Sequence, residues 1–167
     1  MKNILILFLL AIGPVVFAQQ DWDALLDKYN KSSVPYITAQ EAAAAWSTDE
    51  KVIFLDAREI EEFETSHLPQ AVFVGYDDFD SDELPRQTLE QADKIIVYCT
   101  VGVRSEDIGE ILLKKGYQNV YNLKGGILSW KNADFIVYDR NGQPTGKVHV
   151  YGPDWGRWLT RGIPVHD

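Results

Sequence analysis

A cysteine and an arginine with four residues between them form the pattern in this chain that has the clearest chemical meaning. The cysteine, Cys99, follows the apolar run Lys94–Tyr98, and residues 99–104 lead into a helix that we predict to open at Ser105. A thiol in this position lies at the carboxyl end of a sheet strand, where open α/β sheets bind ligands. It also faces the N–H groups of a helix N-terminus, which favour the thiolate. We therefore predict that Cys99 is a catalytic nucleophile.

The residues after Cys99 predict a binding loop for a reacting anion. Successive backbone N–H groups that point inward form an anion-binding nest, and Gly102 permits the backbone angles that a nest needs. Arg104 closes the loop with a fixed positive charge and a fork geometry suited to an oxyanion. Alternatively, Arg104 pairs with a carboxylate such as Glu106 or Asp107. The predicted loop consists of Thr100, Val101, Gly102, Val103 and Arg104.

Short apolar strands alternate with helices on both sides of this loop. Such alternation predicts an α/β fold with an open, parallel, five-stranded sheet and helices on both faces. The predicted strands are 34–37, 51–56, 71–74, 94–98 and 120–123, and the longer predicted helices are 38–45, 60–66 and 105–116.

The pattern changes towards the C-terminus. Two β-like runs, 135–139 and 147–151, are joined by a segment that contains Asn141-Gly142, a strong hairpin signal. We predict a β-hairpin insertion at about 133–158, which either covers the core or forms a lid near the loop. His149 alternates with valines in this run, so it points away from their face; it either reaches the site or, as we expect, faces water. Residues 19–33 are predicted to form a helical lead-in to one domain over 34–167.

Four segments, in order along the chain, resemble the rhodanese homology domain of single-domain sulfurtransferases. The resemblance covers roughly residues 34–131, and residues 162–165 are like the family's usual ending. Ser66 and Gln70 depart from the pattern, because glycine is frequent at both positions in the family. The matching segments are Asp56-Ala57-Arg58, residues 62–71, residues 98–105 and residues 123–130.

The resemblance implies a rhodanese-like fold and a thiosulfate sulfurtransferase activity. Cys99 would attack the outer sulfur of thiosulfate, and a thiol or cyanide would then remove that sulfur from the Cys99 persulfide.

The six-residue loop fits sulfur, whereas related phosphatases and arsenate reductases use one residue more. Two alternatives stay open: a non-catalytic module that recognises a protein partner or anion in the same cleft, and a phosphatase or arsenate reductase-like enzyme. No cofactor is expected.

Three further residues at strand ends could shape the rim of the site. Asp56 and Arg58 close one predicted strand, although a structural ion pair or loop tether explains them more simply. Lys124 precedes Gly125-Gly126 and either adds positive potential or is an ordinary solvated lysine. The three histidines and the cysteine show no pair with ligand spacing, so we predict no metal site.

The N-terminus and the charge indicate an exported protein that binds a small molecule. Lys2 and the apolar run 4–17 predict a signal peptide at residues 1–18, and hence a periplasmic or secreted domain without stable membrane insertion after cleavage. An uncleaved N-terminal anchor is the alternative. The formal net charge of -9 argues against nucleic acid as a partner. We expect a small sulfur-containing anion as substrate and a thiol or cyanide as acceptor.

Overall fold

The centre of the structure, a computed structural model that describes residues 13–84 and 86–166, is a five-stranded sheet. Its strand order is β1-β5-β4-β2-β3, and each neighbouring pair is parallel. This confirms the predicted α/β sheet. The strand that leads to Cys99, β4, lies in the middle of the sheet. The strands are Tyr36–Ile37 (β1), Val52–Asp56 (β2), Val72–Phe73 (β3), Lys94–Tyr98 (β4) and Val120–Leu123 (β5).

Helices pack on both faces of this sheet because its central strands are apolar on both sides. In β4, Ile96 packs with α2 and α6 on one face, whereas Ile95 and Val97 pack with α5 on the other. This alternation follows from the two-residue period of a strand. The helices are Gly13–Tyr29 (α1), Ala39–Trp46 (α2), Ile60–Thr65 (α3), Arg86–Glu90 (α4), Val103–Lys114 (α5), Gly126–Asn132 (α6) and Pro153–Gly156 (α7).

The chain after α6 forms a smaller hairpin than the sequence predicts. Strand β6 (Val137–Tyr138) pairs antiparallel with β7 (Pro144–Thr145) across the turn that contains Gly142. The predicted pairing of 135–139 with 147–151 is wrong, because this tight turn closes the hairpin on β7 first. Strand β8 (Lys147–His149) instead pairs in parallel with β9 (Ile163–Val165).

The N-terminal predictions fall partly outside the described residues. Of the predicted signal peptide, residues 1–12 lie outside them, and residues 13–18 belong to α1. Of the predicted helical lead-in at residues 19–33, residues 19–29 belong to α1, which ends at Tyr29. Among the described helices, none combines the length and the apolar character needed to cross a bilayer.

Candidate active site around Cys99

Cys99 lies in the turn between β4 and α5, with its side chain buried. Its Sγ accepts a hydrogen bond of 3.2 Å from the backbone N–H of Gly102. Gly102 has a φ of 110° and is the N-cap of α5, so the helix begins at Val103 rather than at Ser105 as predicted. Val103 and Arg104 therefore belong to the first turn of the helix, and the sulfur lies at that helix's N-terminus.

The first two carbonyl groups of the loop are held by α6. Ile127 N–H donates to the Cys99 carbonyl at 2.9 Å, and Leu128 N–H donates to the Thr100 carbonyl at 3.3 Å. In a trans peptide the N–H points opposite to the carbonyl, so these contacts direct the N–H groups of Thr100 and Val101 away from α6. Helix α6 thus sets the orientation of the peptide groups beside the sulfur.

Only glycine permits α6 to approach the loop this closely. Gly126 has a φ of 53°, and a Cβ atom there would lie 2.3 Å from the Cys99 carbonyl oxygen. At the other end of the loop, the Asn122 side chain donates to the Gly102 carbonyl at 2.8 Å and accepts from Ser105 Oγ at 2.8 Å. The loop is therefore fixed from two sides, by α6 and by β5.

Arg104 pairs with a carboxylate other than Glu106 and Asp107, the two partners suggested by the sequence. Its two terminal nitrogens donate to the two oxygens of Glu62, on α3, at 2.7 and 2.8 Å. Arg104 also donates to Thr100 Oγ1 at 3.0 Å, and Thr100 in turn donates to Glu62 at 3.0 Å. The guanidinium of Arg104, which we predicted to bind an oxyanion, thus binds a carboxylate of the protein itself.

The Glu62–Arg104 pair is almost closed to solvent, with 3% and 16% of the side chains exposed. Burial alone would raise the pKa of Glu62, but the hydrogen bonds and charge of Arg104 outweigh it, and the pKa lies below its ordinary value. Burial would lower the pKa of Arg104, but the hydrogen bonds and charge of Glu62 together with the charge of Cys99 outweigh it, and the pKa lies above its ordinary value. Both side chains are therefore charged at neutral pH.

The two carboxylates proposed as alternative partners of Arg104 have other roles. Glu106 accepts the backbone N–H groups of Lys31 and Ser33, both at 2.7 Å. Asp107 accepts from the Lys31 ammonium at 2.6 Å and from the Tyr76 hydroxyl at 2.8 Å. These contacts tie α5 to residues elsewhere in the chain and do not involve the loop arginine.

The three predicted rim residues form ion pairs with residues outside the loop. Asp56 and Arg58 are both fully buried and form an ion pair at 2.6 Å. This is the structural ion pair that the sequence analysis gave as a simpler explanation than a role at the rim. Arg58 also donates to the Ser66 carbonyl at 2.6 Å. Lys124 lies 3.3 Å from Asp23 on α1, so its charge is directed towards that helix.

The C-terminal segment, residues 147–165, brings two side chains close to the Glu62–Arg104 pair. His149 reaches the site rather than water, the opposite of the preferred expectation: it is 5% exposed and its Nδ1 lies 4.0 Å from a Glu62 oxygen. Tyr151 places its ring 5.2 Å from the Arg104 guanidinium carbon. Sequence spacing gave no signal for either contact, because the two residues follow Arg104 by more than forty positions.

Two of the loop residues serve the core rather than the site surface. The Val101 side chain is buried in the same apolar cluster as Ile96 and Leu128, and Val103 packs against that cluster. Within residues 13–84 and 86–166, no group of three or more ligand-type side chains could hold a metal ion.

Comparison with known proteins agrees with this geometry. The sequence matches the Rhodanese-like domain over residues 38–133. It is 30% identical over 145 residues to a tRNA uridine(34) hydroxylase of Sodalis glossinidius (strain morsitans), covering 83% of this chain and 40% of that protein. It is 33% identical over 101 residues to the candidate sulfur carrier protein YrkF of Bacillus subtilis (strain 168), covering 60% of this chain and 53% of YrkF.

A solved structure shows the same fold. The thiosulfate sulfurtransferase from Pseudomonas aeruginosa superposes with a TM-score of 0.56 at 20% identity, over 85% of this chain and 26% of that one. The chain spans 40% and 53% of the length of the two curated relatives above. The family match covers more than half of the chain and includes the whole Cys99 loop. The chain therefore belongs to the Rhodanese-like domain family.

Proposed function

We propose that this protein is an exported sulfurtransferase that moves sulfane sulfur from thiosulfate or a similar donor to a thiophilic acceptor. The observation that carries the proposal is the hydrogen bond of 3.2 Å from Gly102 N–H to Cys99 Sγ at the N-terminus of α5. The N–H groups of a helix N-terminus place partial positive charge beside this sulfur, which complements the negative charge that a thiolate nucleophile and a persulfide carry. Family membership supports the same chemistry.

The reaction follows in two balanced steps. The Cys99 thiolate attacks the outer sulfur of thiosulfate, the S–S bond of the donor breaks, and sulfite leaves with the bonding electron pair. Cys99 then carries a persulfide anion. A thiolate or cyanide attacks the outer sulfur of this persulfide, and the Cys99 thiolate is regenerated. The helix N-terminus faces a negatively charged sulfur in every state.

The residues around the loop act by holding its backbone in place. Ile127 and Leu128 bind the carbonyl groups of Cys99 and Thr100, so those oxygens are turned away from the reacting sulfur. The Glu62–Arg104 pair fixes the start of α5 against α3. Such preorganisation avoids rearrangement of the loop when the charge moves from donor to enzyme.

Cys99→Ser tests the proposal directly. Cys99 is the only thiol in the chain, so a single sulfur atom added by thiosulfate, seen by intact mass, can only be assigned to it. We expect one added sulfur on the wild type, its loss on addition of cyanide, and no adduct on Cys99→Ser. Thiocyanate formation should fall by about a thousandfold or more in the variant, because the covalent route is lost.

The outcomes separate the alternatives. Unchanged turnover in Cys99→Ser would contradict the mechanism, and a wild type that never accepts sulfur would favour a binding module. Hydrolysis of a phosphate ester without a sulfur adduct would favour a phosphatase. Export is tested separately, by the cell fraction that contains the protein and by the mass of its N-terminal peptide.

A further inference from the structure

Tyr151 adopts a backbone conformation that bulky residues rarely take. Its φ is 65°, and the Gly152 N–H donates to the Val150 carbonyl at 2.7 Å, which closes a γ-turn around it. A γ-turn with positive φ is rare and strained, and a large aromatic side chain adds to that strain. Strain of this kind persists only where the surroundings impose it, and it is concentrated at ligand sites.

The surroundings of Tyr151 hold this conformation in place. The Tyr151 N–H donates to His149 Nδ1 at 3.2 Å, and the residues on the inner side of the segment, Val148 and Val150, are fully buried. The tyrosine side chain itself is directed outwards, and the residue is 63% exposed. Packing of the ring in the core therefore does not explain the strained conformation of Tyr151. The contact between the ring and Arg104 does explain it.

The Tyr151 ring covers Arg104, which is the one basic residue of the loop 99–104. Glu62 and Thr100 occupy the edge of the Arg104 guanidinium, and the Tyr151 ring lies 5.2 Å from its central carbon. A second carboxylate, Glu59, lies 3.7 Å from the same guanidinium. An anionic donor that approaches Cys99 thus meets a cation that is already neutralised and covered. Tyr151 also lies outside the residues that match the family.

We propose that Tyr151 is a specificity-determining residue, which withholds the Arg104 charge from anionic sulfur donors. This inference rests on the proposed sulfur transfer and names its donor class: sulfane-sulfur compounds that carry less negative charge than the thiosulfate dianion. Such donors need only the loop N–H groups and do not need an accessible guanidinium. A cation–π contact at a partly exposed site corresponds to roughly a threefold effect on the binding of a competing anion.

Alkylation of Cys99 tests this electrostatic claim without any sulfur transfer. Iodoacetate and iodoacetamide are similar in size and differ by one negative charge, so the ratio of their rate constants reports the positive potential accessible near the thiol. We expect the iodoacetate-to-iodoacetamide ratio to rise roughly threefold in Tyr151→Gly. Glycine accepts the positive φ at this position, so the variant removes the ring and relieves the strain. Tyr151→Phe keeps the ring and should retain the wild-type ratio.

Steady-state kinetics supply the second readout. The KM for thiosulfate should fall roughly threefold in Tyr151→Gly, and Tyr151→Phe should restore the wild-type KM. Gln70→Gly is the matched control, because Gln70 is exposed, also has a positive φ of 51°, and belongs to the turn before β3 rather than to the loop or to the segment after β8. Gln70→Gly should change neither the KM nor the alkylation ratio.

The two proposals fail in different ways. If Tyr151→Gly leaves the alkylation ratio and the KM unchanged, or raises the KM, the role of Tyr151 is wrong while sulfur transfer stands. If the wild type accepts no sulfur but Tyr151→Gly raises the alkylation ratio, the proposed function is wrong and the shielding of Arg104 stands.

Discussion

At the scale of single residues, the buried carboxylate of Glu62 organises the site. It accepts hydrogen bonds from both terminal nitrogens of Arg104, from Thr100 Oγ1 and from the Glu59 N–H. A buried carboxylate is tolerated only when its oxygens are satisfied in this way. Because Thr100 and Arg104 lie at the two ends of the loop that begins at Cys99, one side chain from α3 fixes both.

Glu62→Gln should destabilise the protein in a pH-dependent way. Removing one charge of a buried pair leaves the Arg104 charge uncompensated, and we expect a loss of about 3 kcal/mol in the free energy of unfolding at pH 7. The folded pKa of Glu62 is lowered from 4.5, so its stabilisation is present above that pH and is lost as the pH falls through the lower folded value. Urea denaturation of both proteins at pH 7 and below pH 4.5 measures the change.

Glu61→Gln provides the control for this experiment. Glu61 lies on the same helix and is exposed, so the same chemical change there should alter stability by less than about 0.5 kcal/mol. A difference between wild type and Glu62→Gln that stays constant across this pH range would show that the charge of Glu62 is not the source of its stabilisation.

At the scale of elements, the contact between α6 and the active loop depends on one glycine. The first two N–H groups of α6 after Gly126 bind the loop carbonyl groups, and this is possible only because no Cβ stands between the two backbones. The Gly125-Gly126 pair was visible in the sequence as part of a motif. The reason for glycine at this position is the close contact between the backbones of α6 and the Cys99 loop, and only the structure shows that contact.

Gly126→Ala should displace α6 from the loop. A Cβ would lie 2.3 Å from the Cys99 carbonyl oxygen and 2.6 Å from the Thr100 carbonyl, so we expect a loss of about 3 kcal/mol or more in stability and a strong loss of thiocyanate formation. Gly116→Ala is the matched control: its φ is 99°, and a Cβ there would meet nothing within 4 Å. That variant should lose about 1 kcal/mol and keep its activity. Equal losses in both variants would exclude the close contact as the cause.

At the scale of the whole molecule, the C-terminal segment joins the site to the last strand of the chain. Strand β8 carries His149 to Glu62 and pairs with β9, while Val148 and Val150 enter the same apolar cluster as the sheet. The position of Tyr151 over Arg104 is thus supported by a strand pairing outside the family match. The hydrogen bond of 2.8 Å from Ile163 N–H to the Gly146 carbonyl begins this pairing.

Gly162→Ala should therefore alter the site from a distance. Gly162 has a φ of 108°, and a Cβ would lie 2.8 Å from the Gly146 carbonyl oxygen, so β9 must shift away from β8. We expect a loss of about 2 kcal/mol and a rise in the iodoacetate-to-iodoacetamide ratio in the direction given by Tyr151→Gly. Gly142→Ala, with a φ of 71° and open space around it, should lose about 1 kcal/mol without changing the ratio. A ratio that is unchanged in Gly162→Ala would mean that β9 does not support Tyr151.

Local patterns in the sequence determined the sheet, most helix positions and the place of Cys99 in the loop after β4. The apolar runs of β2, β4 and β5 are long enough to identify buried parallel strands, and the spacing from Cys99 to Arg104 identified the loop. The capping box between Thr38 and Glu41 at the start of α2 is likewise local, because both partners lie within one helical turn. Each of these features depends on residues that are neighbours along the chain.

The partners of the loop were decided only by the tertiary structure. Arg104 had carboxylates nearby in sequence, yet it pairs with Glu62, which the parallel sheet brings close from a different helix. Tyr151 and His149 reach the site because β8 pairs with β9 rather than within the predicted hairpin. Spacing along the chain carries no information on such contacts, since they depend on which faces pack together. The sequence alone therefore identifies Cys99 as the candidate nucleophile, whereas the electrostatic environment of its loop depends on the fold.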